Sequence, residues 1–193
     1  MRHILLAVAC GDSLLGKQPN DWDITTSAKP EEVKAIFHRT IDTGIQHGTV
    51  TVLVDREILD DGRGSPASHT DYAFEVTTYR VDGVYTDHRR PESVCFTASL
   101  EEDLKRRDFT INAMAYNPEQ GVIDIFGGQE DLEKGIIRCV GEASERFDED
   151  ALRILRAVRF AAQLDFVIED QTRGSDARSG KVPEGYQCRT DLY

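Results

Sequence analysis

The spacing of apolar positions along the chain changes several times, and each change marks an element. Asp12–Gly16 reads as a short helix ending at glycine. Asp21–Thr25 alternates polar and apolar residues, the period-two pattern of a strand. From Ser27 the pattern predicts a helix. Ser27 or a neighbour caps it, Pro30 sits in the first turn, acids follow, and Val33, Ile36 and Phe37 form its apolar stripe. Gly48–Val54 and Tyr72–Tyr79 are rich in β-branched or aromatic residues and alternate. In the second, Glu75 shares a face with Thr77 and Tyr79, opposite Phe74, Val76 and Thr78. Asp60–Pro66 is a turn or loop signal, and Gly83–Pro91 is a polar connection.

Ser99-Leu100-Glu101-Glu102 has the form of a capping box. It predicts a helix running through Leu104, Phe109, Ile111, Ala113 and Met114. Val122–Phe126 reads as a strand, Glu130–Lys134 as a brief helix and Ile136–Val140 as a final strand. Phe147–Gln163 gives the strongest helical pattern, with acids in its first turn and apolar residues over most of its circumference, so a largely buried helix is expected. Beyond Asp170 the periodicity fades, and Thr172–Tyr193 reads as a poorly packed tail.

At 193 residues the chain is long enough to bury a real core as one domain with an appendage. It contains no apolar run of about eighteen residues, the length a membrane span needs. The apolar stretch Ile4–Cys10 fits a buried first strand or helix better than a signal peptide. Cys10, Cys95, Cys139 and Cys188 are widely spaced with no C-x-x-C pair. That disfavours zinc and points to reduced thiols in a cytoplasmic setting. A net charge of −12 argues against nucleic-acid binding over the whole surface, though not against a local basic cleft.

Three stretches carry candidate chemistry. On a strand, Asp21 and Asp23 point to one face, where two carboxylates either repel or hold a hard cation such as Mg²⁺. A turn or helix cap is the structural alternative for such a piece. In Lys105–Ala113, a helix would place Asp108 and Asn112 on one face, suited to ribose hydroxyls, beside arginines suited to phosphates. A solvated basic helix end would look the same. In Glu149–Arg159, Asp150, Arg153, Arg156 and Arg159 recur every three residues along an apolar helix. Arginines there need partners, either acids of another element or an anionic ligand. No G-x-x-x-x-G-K-[S/T] loop is present, which disfavours P-loop phosphotransfer.

Taken in order, N-D-W-D-I-T-T-S, H-G-T-V-T-V, F-E-V-T-T-Y-R, L-K-R-R-D-F-T-I-N-A-M-A-Y and F-D-E-D-A-L-R-I-L-R-A-V-R-F resemble the class II tRNA nucleotidyltransferases. These are the CCA-adding enzymes of the polymerase β superfamily, closely related to bacterial poly(A) polymerases. The resemblance covers roughly residues 12 to 171. It implies an α/β fold: a small mixed β-sheet, polymerase β-like nucleotidyltransferase head over 1–140, then the start of a helical neck over 141–172. Residues 173–193 would be a poorly structured tail, with the family's body and tail domains missing.

The resemblance also implies roles. Asp21 and Asp23 match the metal-binding, catalytic pair, with Glu75 a candidate third acid, and Mg²⁺ is the implied cofactor. Arg107 and Asp108 match the nucleotide-binding arginine and the ribose-recognising acid. Asp150, Arg153, Arg156 and Arg159 match the helix that acts as a protein template, where Asp and the first Arg read the Watson–Crick edge of CTP or ATP. An Asp accepts from an exocyclic amino group and an Arg donates to ring nitrogen or carbonyl, so the chemistry suits the residues. The implied partners are CTP, ATP and the tRNA 3′ end, with no membrane. The implied reaction is Mg-dependent CCA addition. A poly(A) polymerase, or an inactive fragment that binds nucleotide or metal, are the alternatives. Departures at both ends bear on triphosphate affinity and tRNA binding. The family's G-G-x-V-R-D entry aligns its Asp with Asp12, but the second glycine is Val8 and the arginine is Gly11.

Overall fold

The structure is a computed structural model that describes residues 4–6, 14–16, 23–55, 72–83 and 93–179, the side chains of 4–6 and 175–179 excepted. Asp12, Asp21, Val8, Gly11, the turn signal at 60–66, most of 83–91 and the tail from 180 lie outside the described residues. Its centre is a seven-stranded sheet in the order β3-β4-β5-β2-β1-β8-β9. The strands are β1 (Ile4–Leu6), β2 (Asp23–Thr26), β3 (Thr40–Gly44), β4 (Thr49–Val54), β5 (Tyr72–Thr78), β8 (Met114–Asn117) and β9 (Gly121–Asp124). Only β2 and β5 pair in parallel, and every other neighbour is antiparallel, so the sheet is mixed as expected. The short edge strand β3 has no counterpart in the sequence reading.

One face of the sheet is closed by α1 (Pro30–Ile36), which starts as its sequence dictates. Pro30 occupies the first turn, and Glu32 reaches back to accept from the Lys29 N–H at 2.8 Å. Lys29, rather than Ser27, is the cap. Val33 of this helix packs with Ala28, Val52 and Val76 into a small core. That apolar layer turns the opposite face of β2, β4 and β5, bearing Asp23, Thr51 and Glu75, away from it.

A hairpin of β6 (Arg80–Asp82) and β7 (Val94–Phe96) leads into α2 (Leu100–Lys105). Ser99 caps α2 by accepting from the Glu102 N–H at 3.3 Å. The reciprocal half of the capping box is replaced: the Ser99 N–H donates to Thr97 Oγ1, and Thr97 also donates to Glu102. The expected helix through Met114 stops at Lys105. Phe109 is extended (φ −123°, ψ 150°), Thr110–Asn112 form one 3₁₀ turn, and Met114 begins β8. The cause is competition for backbone groups. Asp108 Oδ1 takes the Phe109 N–H at 2.9 Å, and the Thr110 N–H goes to the Arg138 carbonyl.

The second half is built from α3 (Gly128–Lys134), β10 (Ile136–Ile137), α4 (Ala143–Glu149), α5 (Leu152–Leu164), β11 (Val167–Ile168) and α6 (Asp170–Ser179). Its core gathers Phe109, Ile111, Met114, Leu132, Ile137, Phe147 and Ala157. Two expectations change here. The single helix over Phe147–Gln163 is two helices, broken where Asp150 turns extended (φ −144°, ψ 104°). Nor is α5 largely buried: Arg153 and Ala157 are its buried residues, while Leu155 and Val158 are 51% and 55% exposed. The start of the expected loose tail is the helix α6, with Thr172 only 1% exposed. Thr172 Oγ1 accepts from the Cys139 N–H and donates to Glu169, which ties α6 to the strand end beneath it.

Candidate active site

The first part of the site is set by strand register. Parallel pairing of β2 with β5 places Asp23 directly beside Glu75, with Thr25 beside Thr77 on the same face. Adjacent strands lie about 4.8 Å apart, so two carboxylates sit side by side there. Like charges so placed repel, a cost that a divalent cation would remove. The donor set, hard oxygens only, fits such an ion. Hydroxyls furnish the rest of this face: Thr43 with Thr51 at 2.9 Å and Thr49 with Thr77 at 3.0 Å. Asp21, the other member of the expected metal pair, lies outside the described residues.

The second part is a junction between the turn after α2 and the helix α5. Asp108 is 8% exposed and accepts three hydrogen bonds. They come from the Phe109 N–H, from Asn112 Nδ2 at 3.4 Å and from Arg156 Nε at 2.6 Å. The expected pairing of Asp108 with Asn112 therefore exists, though on a turn rather than a helix. Arg153, 7% exposed, donates from Nη2 to the Arg106 carbonyl at 3.2 Å and from Nη1 to Glu149 at 2.9 Å. Its Nη1 also reaches the Arg146 carbonyl at 3.4 Å. Asp150 Oδ1 accepts from the Leu152 N–H at 2.9 Å and so starts α5. Its other oxygen makes no further hydrogen bond among the described residues. The exposed Arg159 packs its guanidinium over the Phe160 ring.

Arg107 is turned inward. Its Nη1 donates to the Asn112 carbonyl at 3.3 Å, and its Nη2 faces Asp103 at 3.5 Å. Its Nε is buried without a hydrogen-bond partner. Burial lowers the Arg107 pKa from its ordinary value, and Asp103 opposes that shift.

Asp103, which the motifs above do not include, organises this region. It is fully buried and accepts from the Arg106 Nε and Nη2 at 3.0 and 2.8 Å and from the Arg80 N–H at 3.1 Å. With burial, its charge also raises the Tyr79 pKa. The signal was present in E-E-D-L-K-R-R-D, where an acid precedes two arginines by three and four residues.

The structure thus brings Asp23 to Glu75, and Asp108 to Arg156, with Arg153 anchored on the same turn. Chemically, the first place can hold a cation. The second offers a carboxylate, an amide and guanidinium groups at one seam. Residues 8–138 match the Poly A polymerase head domain family. A CCA-adding enzyme of Leuconostoc mesenteroides is 56% identical over 162 residues, 84% of this chain and 37% of the relative. One from Geobacillus thermodenitrificans is 55% identical over 165 residues, 86% of this chain and 37% of the relative. The solved Bacillus stearothermophilus CCA-adding enzyme in complex with CTP matches with a TM-score of 0.73 at 45% identity, over 89% of this chain and 38% of that one. The Thermotoga maritima CCA-adding enzyme complexed with tRNA_CCA gives 0.61 at 28% identity, over 90% and 36%. The chain therefore spans a little over a third of the length of the curated relatives it matches.

Proposed function

The chain belongs to the Poly A polymerase head domain family, and from that premise we propose that it is the nucleotidyl-transferring head of a tRNA nucleotidyltransferase. Its substrates are CTP, ATP and the 3′ end of tRNA, and its products are tRNA bearing CCA and pyrophosphate. The observation that carries this reading is the seam itself. Asp108 of the head meets Arg156 of α5 at 2.6 Å, and Arg153 is bonded to the carbonyl of the neighbouring Arg106. These contacts support assigning ribose recognition to Asp108 and base reading to Asp150 and Arg153, with the head taken as residues 1–140 and the neck helices following.

Asp21, Asp23 and Glu75 would hold Mg²⁺ in this reading, and an ion held there would supply Lewis-acid chemistry for the attacking hydroxyl and the phosphate charge. The remaining work falls to the chain. Asp108 accepts from the ribose hydroxyls, with Asn112 fixing its carboxylate from the side. Asp150 uses its second oxygen to accept from the exocyclic amino group that cytosine and adenine share. Arg153, released from part of its bonding to Glu149, donates to the ring edge. Arg107 fixes the turn that carries Asp108, and Arg156 and Arg159 attract phosphates. A cytoplasmic setting accords with the free thiols of Cys95 and Cys139.

The test is to incubate the chain with tRNA lacking its terminal CCA, Mg²⁺ and labelled CTP or ATP, resolving products to one nucleotide. Ordered addition of C, C and A is expected. Extension by A alone would make it a poly(A) polymerase, and no extension would mark a binding fragment.

A further inference from the structure

Phe160 lies in the seam between α5 and the Asp108 turn. Its ring meets Phe109 edge to face, with centroids 5.9 Å apart. Phe109 is fully buried and follows Asp108 directly. The guanidinium carbons of Arg156 and Arg159 lie 5.4 and 5.2 Å from the same ring centroid. One aromatic ring therefore touches the residue that anchors the Asp108 turn and both outer arginines of α5. Helical spacing puts Arg156, one turn before Phe160, on the same face, whereas the adjacent Arg159 reaches the ring through the length of its side chain. Arg156 is 44% exposed at its side chain and touches only Asp108 and this ring among the described residues. Its terminal nitrogens remain available. For Arg159, the ring is the contact that orients it.

We propose that Phe160 is a positioning residue. Its ring holds the guanidinium groups of Arg156 and Arg159 about one centroid, at 5.4 and 5.2 Å, and its edge-to-face contact with Phe109 fixes α5 against the Asp108 turn. The result is a preset pair of cations for the phosphate groups of a nucleotide beside the ribose-binding carboxylate. Long arginine side chains otherwise sample many rotamers, and a ring face narrows that choice. This inference rests on the nucleotidyltransferase reading for its ligand, but its geometry can be tested without it.

Two measurements test it on the full chain. In the first, Phe160→Leu keeps an apolar anchor and removes the ring, and Phe160→Tyr keeps the ring. The Leu variant raises KM for CTP and ATP about three- to tenfold, with a smaller change in kcat, and the Tyr variant recovers most of the loss. In the second, ¹⁵N NMR follows solvent exchange of the Arg156 Nε proton, which the Asp108 bond protects. That exchange accelerates severalfold in Phe160→Leu and stays slow in Phe160→Tyr. Phe160→Met takes the place of the leucine variant should that one not fold. Unchanged KM and unchanged exchange in the ring-less variants overturn the proposal, as does equal damage by Tyr and Leu. A wild-type chain that adds no nucleotide overturns the parent reading alone, and the exchange measurement still decides this one.

Discussion

Asp23 and Glu75 are brought together by a single strand pairing, whereas Asp108 and Arg156 are 48 residues apart in sequence and meet only when α5 packs on the head. The carboxylate end sets two like charges side by side on adjacent strands of a sheet whose other face is the Val33–Val52–Val76 core. The junction is the reverse. Its buried acids are already satisfied by the chain's own arginines, Asp103 by Arg106 and Asp108 by Arg156. The first end is therefore poised for a cation and contributes little to stability. At the second, the side chains that would meet a nucleotide also hold two parts of the fold together. Mutations should separate the two ends: chemistry without stability at the first, both at the second.

The largest effect is expected at the carboxylate end. Asp23→Asn should lower nucleotide addition on the order of a thousandfold, the scale of several kcal/mol of charge stabilisation. Its melting temperature, followed by circular dichroism, should stay within about 2 °C, because Asn keeps the shape and hydrogen-bonding capacity of the half-buried Asp23 side chain while removing one of two adjacent like charges. A melting temperature lowered as far as that of a junction variant would erase the contrast.

At the junction, Arg153→Ala removes the donor to the Arg106 carbonyl and one of two donors each to Glu149 and the Arg146 carbonyl, which keep Arg146 Nη2 and the Asp150 N–H. Arg153 is 7% exposed, so a loss of about 2–3 kcal/mol in urea unfolding is expected. A double-mutant cycle of Asp108→Asn with Arg156→Gln sharpens this further. A coupling of about 1 kcal/mol is expected, kept modest by the solvent around Arg156. A coupling of zero would mean the two segments are held by the Arg153–Arg106 carbonyl bond, the Phe109–Phe160 contact and the core, without help from this ion pair.

The smallest effect probes the wall behind the junction, where Val140 N–H donates to the Asp108 carbonyl and the neighbouring Cys139 is 4% exposed. Burial pushes the Cys139 thiol from 9.0 up to about 12. Above pH 9 the unfolded chain loses this proton first, so stability falls as pH rises from about 9 to 12. Wild type should lose about 1 kcal/mol relative to Cys139→Ala between pH 8 and pH 10. Parallel stability curves for the two proteins would contradict a buried neutral thiol.

What could be read from sequence follows the same division. Period-two alternation placed Asp23 on a strand and put Glu75 on its proper face, because sheet geometry repeats the local pattern. The junction was read less well. R-R-D-F has helical spacing, yet Asp108 spends its side chain on the next N–H and ends the regular structure. Asp150 breaks a helix that its neighbours would continue, by accepting from the Leu152 N–H. On α5 an apolar count suggested burial, but Arg153 lies inside and Leu155 and Val158 outside, because one partner of Arg153 is the Arg106 backbone carbonyl, distant in sequence. The strand Thr40–Gly44 carries two threonines, an aspartate and a glycine at a sheet edge, a pattern too weak to predict.

In the proposed function one end of the site performs transfer and the other selects the nucleotide. The decisive measurement is single-turnover incorporation of CTP and of ATP on tRNA lacking its 3′ end, compared among wild type, Asp23→Asn and Arg153→Ala. Asp23→Asn should slow both nucleotides by the same large factor and leave their ratio intact. Arg153→Ala should change the ratio more than the total. An Arg153→Ala protein that retains the wild-type CTP-to-ATP preference would contradict the division of labour.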